Sequence, residues 1–183
     1  ALAAYGVMRM ASNETSEARL IDALFATLTD GSFKTNETRV AWDFFEVCGM
    51  QKNARLLDRL LAAGSARVDP WFALMMRGQR AYDKAWEARG GGYADTVTEE
   101  GWAGFRDAMK EAHGLLTRAW ELHPDIPEAA TLMIDCVRGD RSACRKWFDR
   151  AVAAQLDALP AYSAYRFTLR PRWCGSLREM QAF

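Results

Sequence analysis

An all-α fold is what this sequence predicts, on three observations. Apolar residues recur at three- and four-residue steps along most of the chain. No segment shows the alternation of a half-buried strand, and a glycine or proline closes nearly every periodic run. The 183 residues suffice for one domain with a substantial core, half of them are apolar and seven are tryptophan, which argues against disorder. Residues 1–183 are therefore expected to form a single helical-repeat domain. The lack of an initiator Met points to a fragment of a longer chain or a processed product.

The elements follow in order. In "SEARLIDALFATL", Leu20, Leu24 and Leu28 share one stripe with Ile21 and Phe25 beside it, and Gly31 stops the helix. "RVAWDFFEVCGM" and "QKNARLLDRLLAAG" are two shorter helices, the second ended by Gly64. Asp69 caps "DPWFALMMRGQRAYDKAWEARGGG", Pro70 sits where its missing N–H costs nothing, and Gly90–Gly92 end the helix. Thr98 caps the longest pattern, "TEEGWAGFRDAMKEAHGLLTRAWELH", with Glu99 and Glu100 complementing its dipole. Its Trp102, Phe105, Met109, Ala112, Leu116 and Ala119 step by three or four and form one stripe expected to be buried; Pro124 closes the segment. "IPEAATLMIDCV", "SACRKWFDRAVAAQ" and "LPAYSAYRFTL" come next, and a last helix starts at Ser176.

These helices are short, paired and briefly connected, so internal repeats are the natural question. Ala112, Leu116, Ala119 and Pro124 have the small-large-small-Pro spacing of the second helix of a tetratricopeptide repeat, and Cys144, Phe148 and Ala151 repeat it 32 residues later. "PEAATLM" from Pro127 is echoed by "PAYSAYR" from Pro160, 33 residues on. Small residues let paired helices approach while the large one fills the gap toward the next pair. The expected architecture is a tetratricopeptide-like stack of antiparallel helix pairs, a short and degenerate α-solenoid.

The segments "AWEARGGG", "GWAGFRDAMKEAHGLLTRAW" and "LPAYSAYRFTLRPRWCGSLREMQAF" resemble an uncharacterised bacterial family, domain of unknown function 4034. Its members end in a similar Tyr-rich helix, a Pro-Arg-Trp-Gly-Gly-Ser-like corner and a short acidic helix. The likeness is clearest from about Trp71 to Phe183, and Pro171, Arg172, Trp173, Gly175 and Ser176 match the corner. Cys174 stands where the first glycine is expected. The resemblance implies a tetratricopeptide-like helical fold and brings no activity, substrate or catalytic residue.

The stretch "LRPRWCGSLREM" is read as a structural corner. Pro171 ends one helix, Gly175 supplies a flexible position, and Ser176 with Glu179 makes an S-x-x-E capping box. Trp173 is expected to fold back on the helical pair as a plug. The competing reading makes Cys174 a nucleophile at a helix N-terminus, and an enzyme using Cys174 or His113 is the alternative kept. Neither His113 nor His123 belongs to an HExxH or other ligand pair, and the four cysteines (Cys48, Cys136, Cys144, Cys174) form no CxxC. No metal or cofactor is expected, and the thiols read as free and buried. The sequons at Asn13 and Asn36 read as chance matches, and Gly90–Gly92, with no following Lys-Ser/Thr, as a helix stop.

Net charge is zero, but it is unevenly spread. Tyr93–Val137 carries nine acidic and three basic residues, whereas Arg138–Phe183 carries nine basic and four acidic. The bland account is complementary, solvated faces; the functional account is an electropositive groove. The function expected is a non-enzymatic scaffold that binds an unidentified protein or peptide, acidic in character, on a concave and partly basic face. The candidate residues for that face are Arg138, Arg141, Arg145, Tyr162, Arg166 and Arg172. Nucleic acid is not an expected partner, since no reader motif appears, and no apolar run reaches the length of a membrane span. A cytoplasmic monomer or weak end-to-end dimer is expected, and a structural module of a larger protein is the other reading.

Overall fold

Side-chain oxygens and prolines start the helices. The computed structural model describes residues 69–173 and 175–183, together with Arg19, Arg39, Trp42, Asp58, Leu61 and Ala62, each of these six helical. The rest of the helices expected over "SEARLIDALFATL", "RVAWDFFEVCGM" and "QKNARLLDRLLAAG" lies outside the described residues, as do Cys48, Cys174 and both sequons. Among the described residues the regular structure is entirely helical. It comprises α1 (Pro70–Arg89), α2 (Glu99–Leu122), α3 (Pro127–Cys136), α4 (Arg141–Ala154), α5 (Leu159–Thr168) and α6 (Leu177–Ala182). Short 3-10 turns stand at Ala94–Thr96 and Pro171–Trp173.

Asp69 opens α1 by accepting from the N–H groups of Trp71 (2.9 Å) and Phe72 (3.2 Å), with Pro70 in the first position. The Thr98 hydroxyl accepts from Gly101 N–H at 3.1 Å to start α2, and the Asp140 carboxylate from Ala143 N–H at 3.0 Å to start α4. Such caps satisfy backbone donors that the helix itself leaves open, each worth about 1 kcal/mol. The helices α3 and α5 have no side-chain cap and carry instead a proline in the first turn, Pro127 and Pro160, whose fixed φ suits that position.

The chain divides into two compact units, Ala1–Met76 and Arg77–Phe183. In the first, Trp42 is buried against Trp71 and Phe72, edge to face, with ring centroids 6.2 and 6.0 Å apart. In the second, α3 is central: it packs on α2, α4 and α5, and its Ala129, Ala130, Met133 and Ile134 are fully buried. Ala112, Leu116 and Ala119 of α2 are buried, and so are Cys144, Phe148 and Ala151 of α4. Backbones approach where side chains are small. A Cβ on Gly78 would stand 2.7 Å from the Leu116 side chain, and one on Gly104 would stand 3.0 Å from the Ala88 methyl. No described helix is long and apolar enough to cross a membrane.

Two glycines should respond oppositely to substitution. Gly78→Val overfills the contact with Leu116 and should lower the unfolding free energy by about 1–3 kcal/mol. Gly114, exposed within α2 with nothing near its Cβ direction, should raise it by about 0.5–1 kcal/mol as Gly114→Ala. Denaturant titration of the two variants beside the wild type checks both signs.

Candidate functional site

Where α1 ends, its last turn and the loop beyond it border an open cleft of about 820 Å³, closed on the other sides by the start of α2, the end of α3 and the Pro171–Trp173 turn. That is within the size range of ligand pockets, about 300–1,000 Å³. Gly90 turns the chain away from α1: its φ is +74°, and its N–H bonds the Trp86 carbonyl at 3.0 Å. A side chain there would be strained, so the helix stops at glycine for a conformational reason. Gly91 and Gly92 form the rim, and the Arg89 guanidinium ties it down by donating to the carbonyls of Gly90 and Gly92, both at 3.0 Å.

The walls are aromatic. Trp86 meets Phe105 edge-on at 5.2 Å, and Phe105 meets Trp102 at 5.8 Å. These α2 rings belong to the stripe expected to be buried throughout, and the structure corrects that expectation. Ala112, Leu116 and Ala119 are sealed, but Trp102, Phe105 and Met109 are only half-buried because they line the cleft. Helical periodicity shows that residues share a face; it does not show what covers that face.

Three guanidiniums accompany the rings. That of Arg89 lies 5.6 Å from the Trp86 centroid and 5.3 Å from that of Trp102. That of Arg138 lies 6.0 Å from Trp86, 4.7 Å from Phe167 and 5.1 Å from Trp173, and it is paired with the Asp135 carboxylate. Burial works against the Arg138 charge, but Asp135 and then the Tyr82 hydroxyl outweigh it, holding its pKa above the ordinary arginine range. Arg172 is different. It is exposed at the cleft, 5.8 Å from the Trp173 centroid, and has no carboxylate or carbonyl partner among the described residues. Three N–H groups of the lining, Trp86 Nε1, Arg138 Nε and Trp173 Nε1, are shielded from solvent and have no acceptor in hydrogen-bonding geometry among the described residues.

The titratable neighbours are held neutral. Burial, and then the Asp135 carboxylate, push the Cys136 thiol up to about 12. Burial and Asp135 likewise push Tyr82 up to about 12, against the opposing Arg138 charge and Trp86 N–H. Cys136 borders the cleft as a protonated thiol at neutral pH. Ring faces and fixed positive charge are what the cleft offers a ligand. Among the described residues no group of three His, Cys, Asp or Glu side chains could hold a metal ion.

Of the six residues expected to form a partner face, the cleft gathers Arg138 and Arg172. Arg141 pairs with Glu179, and Arg145 Nε donates to Asp149 at 2.8 Å. The Tyr162 hydroxyl donates to the Leu156 carbonyl at 3.0 Å while its ring packs edge-on against Phe148 at 5.1 Å. Arg166 is exposed on α5, outside the cleft lining. At the corner, Pro171 begins the 3-10 turn and Trp173, half-buried, tilts against Phe167 at 6.3 Å. The Ser176 hydroxyl accepts from Glu179 N–H at 3.2 Å and donates to the Glu179 carboxylate at 2.8 Å. Gly175 lies so near the backbone that a Cβ would fall 2.0 Å from the Leu169 carbonyl oxygen. His113 is exposed on α2 and does not border the cleft.

The residues that sequence reasoning did not nominate are Trp86, Arg89, Trp102 and Phe105. For Trp86 and Arg89 the signal is an aromatic and an arginine at a helix end followed by three glycines; for Trp102 and Phe105 the stripe itself gave none. No protein-family model, curated protein or solved structure matches the chain.

Alkaline stability follows from these shifts. Cys136 rises from the ordinary 9.0 to about 12, Cys144 from 9.0 to about 11, and Tyr82 from 10.0 to about 12. Between those limits the folded chain binds protons that the unfolded chain has lost, so stability falls as pH rises. The melting temperature should decline across this interval, and Cys136→Ala should flatten the decline relative to its own value at neutral pH. Thermal melts followed by circular dichroism read the effect.

Proposed function

We propose that this chain is a non-enzymatic binding scaffold, a tetratricopeptide-like stack of helix pairs that holds a segment of a protein partner against the basic, aromatic cleft between α1, α2, α3 and the Pro171–Trp173 turn. The observation that carries the reading is the opening of the α2 stripe: Trp102, Phe105 and Met109 line an accessible cleft while the same stripe is sealed one turn further on. Half-buried tryptophan with arginine is the composition of binding hot spots. The buried small-large-small sets of α2 and α4, with Pro127 and Pro160 in the first turns of the helices after them, support the repeat reading. The likeness to domain of unknown function 4034 enters only through the helical-repeat fold that it implies.

Gly139 offers a clean test because it borders the cleft, is exposed, has a φ any residue tolerates, and has nothing within 4 Å of its Cβ direction. Gly139→Tyr should fill the cleft and leave the fold intact. Gly114→Tyr makes the same change on the exposed surface of α2, away from the cleft. In selections from a displayed random-peptide library, the wild type and Gly114→Tyr should enrich the same sequences and Gly139→Tyr should not. Enrichment indifferent to Gly139→Tyr, or none with any of the three, would overturn the reading.

A further inference from the structure

We infer that the cleft recognises an acidic peptide segment, pairing a side-chain carboxylate with Arg172 and laying a neighbouring apolar side chain on Trp102 and Phe105. This rests on the binding reading above and names the chemistry of the partner. The argument begins with charge. The lining carries Arg89, Arg138 and Arg172 against the single carboxylate of Asp135, so a chain of zero net charge presents a locally cationic cleft. These cations are not equivalent. Arg89 is committed to the Gly90 and Gly92 carbonyls, and Arg138 to Asp135. Arg172 keeps its donors open to solvent, on a 3-10 turn where a planar guanidinium can meet a carboxylate with two parallel hydrogen bonds.

One open guanidinium beside a fixed Asp135 suits a monoanion. A phosphate dianion would bring a second charge toward the Asp135 carboxylate without a second open cation to answer it. The apolar half of the recognition comes from the part of the lining that α2 supplies. The half-buried faces of Trp102 and Phe105 keep apolar area in water, and a leucine-sized side chain covering them would remove it. Charge and apolar surface within one cleft therefore call for both features in one ligand.

The probes are three synthetic peptides, acetylated and amidated to remove terminal charge: Ser-Leu-Glu-Leu-Ser, its amide twin Ser-Leu-Gln-Leu-Ser, and Ser-Gly-Glu-Gly-Ser. Binding is read by calorimetry and by the intrinsic fluorescence of the cleft tryptophans. The acidic leucine peptide should bind at least about tenfold more tightly than either relative, as expected of a charge-assisted pair. Its affinity should fall with added salt. Arg172→Gln should bring it down to the level of the amide twin with an unchanged melting temperature, and Arg118→Gln, the same loss of charge on an exposed face of α2, should leave affinity unaltered. Equal binding of the acidic and amide peptides, or indifference to Arg172→Gln, overturns the carboxylate pairing. In that case, continued loss of library enrichment in Gly139→Tyr would leave the binding reading standing. Failure of all three peptides to bind overturns the inference as well.

Discussion

A charge held away from water must be answered from within the protein, and the Arg138 guanidinium, its side chain 15% exposed, is such a charge. It sits at the end of α3, paired with Asp135 one turn earlier and placed among the rings of Trp86, Phe167 and Trp173. Those rings come from α1, α5 and the Pro171–Trp173 turn, so one side chain draws together elements that are distant in the chain. Cation–π contacts contribute about 0.5–2 kcal/mol each, more when shielded from water. The pair with Asp135 keeps the charge from being stranded; with either partner removed, the other is left half-buried without its counter-charge. Tyr82 and Cys136 report the same environment, since both are held protonated by burial and by Asp135.

This arrangement also explains why the cleft is open. Arg138 forms part of its wall, and its rings are fixed by packing before any ligand arrives. On the other side, Gly90 ends α1 in a left-handed residue and Arg89 pins the glycine rim through two carbonyls. Gly90, Gly91 and Gly92 themselves carry no side chains, and Tyr93, exposed just beyond them, joins the lining. A loop edge held in this way is set in place beside Trp102 and Phe105, and preorganisation of that kind lowers the entropy cost of binding.

Much of the fold was legible in the sequence because its signals are local. Asp69, Thr98 and Ser176 were recognisable as caps from residue type and position, and each accepts the backbone N–H groups that such a cap should satisfy. Leu116 between Ala112 and Ala119, and Phe148 between Cys144 and Ala151, were readable as contact faces and are buried. The site was less legible because it depends on what lies across from each face. Trp102 and Phe105 sit in perfect register with Leu116, yet they border open space. Gly175 invited an argument from flexibility, whereas the constraint is the Leu169 carbonyl against which no Cβ fits. That contact is tertiary, and no spacing encodes it.

The basic run beginning at Arg138 shows the same limit in its electrostatics. Counted along the chain, it reads as one groove; in space its members are spent in different ways. Arg138 is held by Asp135, Arg141 by Glu179 and Arg145 by Asp149. Arg150 lies over Trp120 and Trp147 at 4.0 and 4.2 Å, and Arg170 lies over Phe167 at 4.2 Å. A guanidinium already matched to a carboxylate or pressed on a ring has little left for a partner, because a new contact must first undo the old one. The charge that bears on recognition is therefore the uncommitted charge beside an open apolar surface. In the cleft, that condition singles out Arg172, which is exposed and stands 5.8 Å from the centroid of Trp173.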